Sequence, residues 1–274
     1  MRALLLVLGL AACGGSAERY TIDFSATVGG KPFACDQSYA GIGTSATTIV
    51  PQDLRFYVYG VALHSVGGTR QAFTLDDDEV WQHAGIALLD FEDGTGGCQT
   101  NSPQMHTQLT GTAPASKDGA YDSVEFTIGV PVNEDALGVV DAPAPLNVPA
   151  MFWSWVGSYK FMKIEVGSTA NPVWYFHLGA DTCSEVSLST LTCKYPNAST
   201  VTLPGWSVDA QVNLDLARLY ASSNLDAHVD GVTDTIPGCM STAGDPECPP
   251  LFGAVGLSFE SSAAPPAQTL FQIQ

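Results

Sequence analysis

Tyr20-Thr21-Ile22-Asp23-Phe24-Ser25-Ala26-Thr27-Val28-Gly29-Gly30 alternates apolar and polar side chains and then turns. Side chains of an extended chain point alternately to opposite faces. Tyr20, Ile22, Phe24, Ala26 and Val28 therefore form the apolar face of a half-buried strand, and the glycine pair opens a hairpin. The same period recurs at Val124, Phe126, Ile128 and Val130, ended by Pro131. Leu54-Arg55-Phe56-Tyr57-Val58-Tyr59 is dense in aromatic and β-branched residues, and Gly67-Gly68 marks a turn before a strand over 71–75. Further strand signals lie at 159–166, 173–178, 200–203 and 208–214. Helical periodicity is confined to short stretches at 214–220 and 250–257. Many strands separated by Gly, Pro, Ser and Thr loops predict an all-β fold, an antiparallel β-sandwich of Greek-key type with short peripheral helices.

Residues 1–12 have the layout of a signal peptide: Met1-Arg2 supplies positive charge and 3–10 an apolar stretch too short to span a bilayer. Leu10-Ala11-Ala12-Cys13 resembles a bacterial lipobox, which makes Cys13 the expected lipidation site and 13–19, with Gly14-Gly15-Ser16, a flexible tether. Residues 20–274 are expected to form one β-sandwich domain. A lipid anchor would hold it at a membrane surface without a spanning helix, with the periplasmic side of the outer membrane as the expected place.

Composition agrees with export. The 274 residues carry 10 Lys+Arg against 28 Asp+Glu, a net charge of −18 that argues against nucleic acid as a partner. With 45% hydrophobic and 14% charged residues, the chain can bury a large core. Of seven cysteines, one is the expected lipid site and six remain, an even number suited to disulfides in an oxidising compartment. Cys183 and Cys193 flank a short polar loop, as do Cys239 and Cys248, so the simplest arrangement pairs each locally and leaves Cys35 for Cys98. Sequence alone leaves the other connectivities open.

The candidate chemistry begins at Glu79-Val80-Trp81-Gln82-His83, which runs into the apolar strand Gly85-Ile86-Ala87-Leu88-Leu89-Asp90-Phe91. Two-residue spacing puts the Trp81 indole and the His83 imidazole on one face of an extended chain, where they serve either a metal or redox site or simply the core. Asp76-Asp77-Asp78-Glu79 is a run of carboxylates that could hold a hard cation such as calcium. It lacks the spaced ligands and central Gly of an EF-hand loop, which favours a solvated turn. Neither a G-x-S-x-G elbow nor an H-E-x-x-H pair is present, so no hydrolase chemistry is indicated and the chain is not expected to be an enzyme.

Several blocks carry a longer resemblance. Asp53-Leu54-Arg55-Phe56-Tyr57-Val58, Trp81-Gln82-His83 and Ala87-Leu88-Leu89-Asp90-Phe91-Glu92-Asp93-Gly94 with Cys98 come first. Ile128-Gly129-Val130-Pro131, Pro145-Leu146-Asn147, Met151-Phe152-Trp153-Ser154-Trp155, Tyr159-Lys160-Phe161, His177-Leu178-Gly179 and Pro237-Gly238-Cys239-Met240 with Asp245-Pro246-Glu247-Cys248 follow. In that order they resemble the bacterial MbnP-like family, also called the metallo-mystery pair four-Cys proteins, across nearly the whole mature chain. The family's usual Asn-His after the Gly-Val-Pro block is here Asn133-Glu134.

The resemblance implies a periplasmic copper-binding β-protein that works with a di-haem cytochrome c peroxidase-like partner. That partner oxidises a Trp to kynurenine, which joins two His at the copper. Carried over, Trp81 is the residue oxidised, His83 the first ligand and His177 the second. Neutral imidazole and an aniline-type nitrogen both suit copper, whereas an intact indole is only an N–H donor. Trp153 and Trp155 are the alternative oxidation site, and His106, beside Met105, the alternative ligand. A surface-anchored adhesion or glycan-binding sandwich is the competing function.

Overall fold

The computed structural model describes residues 16–98, 105–116, 120–132, 142–153, 158–187, 190–229 and 236–274. The expected leader, Cys13 and Trp155 lie outside them. The main strands, in chain order, are β1 (Ala17–Val28), β2 (Thr47–Ser65), β3 (Gln82–His83), β4 (Ile86–Asp90), β5 (Gln108–Pro114) and β6 (Tyr121–Ile128). They continue with β7 (Ser158–Gly167), β8 (Trp174–Gly179), β9 (Ser199–Pro204), β10 (Gln211–Asp215) and β11 (Phe271–Ile273). One sheet runs β11-β10-β1-β5 and ends on Thr74–Leu75. The other runs β9-β6-β2-β7-β8 and ends on Gly238–Cys239.

The two sheets form a β-sandwich. Phe24 of β1 and Phe271 of β11 project from the first sheet onto Phe56 of β2 and Phe126 of β6 in the second, with ring centres 5.3–6.2 Å apart. Such edge-on pairs add about 0.5–1.5 kcal/mol each beyond burial. Ile22, Phe24 and Val28 are buried, as the alternation of β1 requires. The Gly29-Gly30 turn returns the chain for two residues only, Lys31 and Pro32 against Val28 and Thr27.

β2 is the spine. It is 19 residues long, far beyond the six apolar-rich residues that mark it in sequence. Pro51 and Gly60 each sit at an irregularity. Pro51 falls where the register with β7 shifts, so its missing N–H breaks no regular ladder. Gly60 takes φ +62° where the register with β6 slips, a conformation that an L side chain resists.

Two features differ from the expectation. β1 and β10 run parallel, as do β8 and Gly238–Cys239, so the sandwich is mainly rather than wholly antiparallel. The strand over 71–75 is divided: Arg70–Ala72 pairs with β2 in one sheet, Thr74–Leu75 pairs with β5 in the other, and buried Phe73 occupies the step between them. The helices are α1 (Leu216–Leu219), capped by the Asp215 carboxylate accepting the Ala217 N–H, and α2 (Cys248–Ala254), with proline in its first turn.

Disulfides join Cys35 to Cys98, Cys183 to Cys193 and Cys239 to Cys248. Among the described residues no helix is long and apolar enough to cross a membrane.

Candidate metal centre

β4 builds the site. One of its edges pairs with β2, and the other receives β3, with His83 opposite Ile86 and Gln82 opposite Ala87. Trp81 follows, its carbonyl accepting the Leu88 N–H at 2.9 Å, and His106 then bridges Asp90 through both backbone bonds. Residues opposed across an antiparallel ladder share a face. His83, Trp81 and His106 thus stand in succession above Ile86, Leu88 and Asp90, on one side of the sheet.

Local bonds hold this edge in place. Asp78 Oδ1 accepts the backbone N–H groups of Val80, Trp81 and Gln82 at 2.7–2.9 Å. Burial alone would raise the Asp78 pKa, but these donors outweigh it and lower the pKa. Gln82 points to the opposite face, where its amide bonds Thr110 of β5 in both directions and ties β3 to the first sheet. Asp77 reaches His83, and Asp76 pairs with Arg19. The three aspartates of the acidic run are thus engaged within the chain, and among the described residues the run forms no cluster of metal-ligand spacing.

Trp81 lies flat against His106, ring centres 5.3 Å apart and planes within 4°. His106 Nδ1 is 2.7 Å from the Leu88 carbonyl oxygen, and His83 Nδ1 is 2.6 Å from Asp77 Oδ2. A carbonyl can only accept, so His106 donates from Nδ1 and carries its lone pair on Nε2. Burial pushes the His106 pKa below its ordinary value, and the Leu88 carbonyl and Asp78 only partly oppose it, so the ring is neutral near pH 7. Neutral imidazole with the second nitrogen anchored is the form that metals select.

The structure does not bring His177 to Trp81 and His83. Between β3 and β8 lie β4, β2 and β7, four inter-strand steps or about 19 Å. His177 is 3% exposed, and its Nε2 is 2.8 Å from Glu165 Oε1. Burial also lowers its pKa, and it ends a row of directly opposed residues, His106, Asp90, Arg55, Lys163 and His177, that crosses the sheet. Asp53 ties this row together by pairing with both Arg55 and Lys163. Burial would raise the Glu165 carboxyl, but the His177 hydrogen bond and the Lys163 ammonium outweigh it and bring the pKa to about 2.

Asp90, Arg55, Lys163 and His177 are buried, and residues 142–153 pack against this face of the sheet. Tyr57 donates to the Pro145 carbonyl, Lys160 Nζ donates to that of Ala150, and Trp153 packs 6.2 Å from the His177 ring. Trp153 is 3% exposed and is a core aromatic. His64 and His228 each face a carboxylate, Glu125 and Glu247. Cys239, Asp245 and Cys248 gather within 4.8 Å, but the two sulfurs are joined and offer no thiolate to a metal.

In the sequence no family block surrounds His106, whereas His177-Leu178-Gly179 is one. The signal of His106 is tertiary: only the bridge to Asp90 brings it beside Trp81.

The fold and this edge define a class, a disulfide-braced β-sandwich that presents an indole between two imidazoles. The chain belongs to the MbnP family, whose family model matches residues 17–241. It is similar to the solved structure of MbnP from Methylosinus trichosporium at 27% identity and a TM-score of 0.82, covering 94% of this chain and 98% of that one. No curated protein matches it.

Proposed function

We propose that this chain is an exported protein of copper homeostasis that binds copper at the edge formed by His83, Trp81 and His106. The observation that carries the reading is the paired anchoring of the two imidazoles: each has Nδ1 engaged, and neither Nε2 has a hydrogen-bond partner among the described residues. The residues fit the metal. Imidazole nitrogen suits copper, and a neutral His106 needs no deprotonation to bind it.

His83 and His106 oppose Ile86 and Asp90, so they are separated by four residues of β4, about 13 Å of extended chain. Trp81 stands between them. Two imidazoles must therefore reach inward across residue 81, and a donor created on that residue would complete the set. Oxidation of the Trp81 indole to kynurenine by a di-haem cytochrome c peroxidase-like partner supplies such a donor, an aryl amine. Trp81 is only partly buried and is open to an external oxidant. The three disulfides suit the periplasm, and lipidation at Cys13 would hold the protein at the membrane.

Copper titration of partner-treated protein tests the site. His83→Ala and His106→Ala are expected to remove tight binding, and His177→Ala to leave it. Loss with His177→Ala in a folded protein, and none with His106→Ala, would return the site to the other end of the ionic row.

A further inference from the structure

We propose that Asp77 is the positioning residue of this edge: its carboxylate fixes His83 as the Nδ1–H tautomer and so presents Nε2 as the donor atom. The inference rests on the copper reading above and adds the group that prepares one ligand for it.

The His83–Asp77 contact is short, 2.6 Å from Nδ1 to Oδ2, although the two side chains are 31% and 50% exposed. Exposed ion pairs of long side chains are worth little, because freezing them costs what the attraction gains. Asp77 is short and is already held. Its other oxygen accepts the Glu79 N–H at 3.2 Å, and Glu79 itself takes a positive φ of +56° to make that turn. The Asp78 N–H donates to the Gln82 carbonyl at 3.0 Å, so the loop closes on the residue next to His83. Asp78 and Gln82 then fix the loop to the strand edge.

A carboxylate can only accept, so a neutral His83 beside it must place its proton on Nδ1. An imidazole free in water favours the proton on Nε2, the nitrogen a metal would need. At His106 the Leu88 carbonyl imposes the same choice, but that acceptor belongs to the backbone and comes with the strand. At His83 the choice depends on one side chain, which a substitution can remove.

The experiment reads the tautomer of His83 in the metal-free full chain by long-range 15N–1H correlation above the imidazole pKa, with His83→Gln to assign the signal. The parent is expected to show Nδ1–H. Asp77→Ala is expected to shift the population toward Nε2–H and to weaken copper binding about 10- to 100-fold in partner-treated protein. Asp77→Asn, whose amide oxygen still accepts, is expected to retain part of both. Native-like hydrogen exchange at Trp81 and Gln82 checks that the loop stays folded. An unchanged His83 tautomer in Asp77→Ala overturns the inference, as does a shifted tautomer with unchanged copper affinity. If the parent takes up no copper at this edge, the copper reading fails. The tautomer comparison still decides whether Asp77 sets the His83 proton.

Discussion

Trp81 and His106 are parallel neighbours, 5.3 Å between ring centres, although 25 residues of chain separate them. The contact exists because Leu88 and Asp90, two residues apart on β4, each receive a different returning segment on the same free edge. An indole against an imidazole is a packing contact first. Its chemical consequence is that any donor formed on residue 81 is already beside the His106 imidazole, the ligand proposed above.

That consequence is read directly by mass. Opening the indole with two oxygens and losing formyl leaves a net gain of about 4 Da on the Trp81 peptide. The gain is expected only when the di-haem partner is present. Trp81→Phe is expected to abolish both the gain and tight copper binding, while His106→Ala keeps the gain and loses the copper. A Trp81→Phe protein that binds copper as tightly as the treated parent would exclude kynurenine from the site.

Removing one cation from the buried row should cost far more than any surface substitution. Arg55 is 2% exposed between Asp53 and Glu92, and although burial works against its charge, the Asp53 hydrogen bonds raise its pKa. Arg55→Leu takes from Asp53 one of its two cations, leaving Lys163, and breaks the Arg55 contact with Glu92, and a loss of about 3–5 kcal/mol is expected in urea unfolding. A loss below about 1 kcal/mol would mean that water reaches these carboxylates.

Acid should weaken the fold through Glu165. Its folded pKa of about 2 lies below the ordinary value of 4.5, so the unfolded chain binds a proton first as pH falls. The stabilisation is complete above about pH 4.5 and is lost toward about pH 2, up to about 3 kcal/mol in all. Glu165→Gln is expected to flatten that part of the stability–pH curve. An unchanged slope would place the acid sensitivity elsewhere.

The disulfides should differ in worth. Cys35–Cys98 closes a separation of 63 residues and Cys183–Cys193 one of 10. On chain entropy the first restricts the unfolded state by about 4 kcal/mol and the second by about 3 kcal/mol. The double substitution Cys35→Ser/Cys98→Ser is therefore expected to shift the urea midpoint more than Cys183→Ser/Cys193→Ser. The reverse order would point to strain or residual unfolded structure.

If Cys13 carries a lipid, membrane attachment rests on that one side chain. Cys13→Ala is expected to release the protein into the soluble periplasmic fraction or leave the leader uncleaved, as fractionation and intact mass would show. Unchanged membrane association and mass would remove lipidation from the account.

The sandwich was legible where burial is one-sided. β1 and β6 alternate because one face meets the opposing sheet and the other meets solvent, and a period of two survives in sequence. β2 and β7 were legible only in part. Both are buried on each face, one by the core and the other by residues 142–153 and the ionic row, so alternation fades into a nearly continuous run. The two parallel pairings were invisible because strand direction within a sheet follows from where loops return, which local composition does not encode.

The site divides along the same line. The i, i+2 spacing of Trp81 and His83 is a local property, and an extended backbone is enough to place both on one face. The locally spaced cysteine pairs are likewise close for want of chain between them. The choice between His106 and His177 is different. Both are histidines at comparable distance from polar neighbours, and only the pairing of β4 puts one beside Trp81 and the other four strands away. Tertiary structure decided which of them neighbours Trp81, because hydrogen-bonded strand order sets distance in steps of about 4.8 Å across the sheet, whatever the separation along the chain.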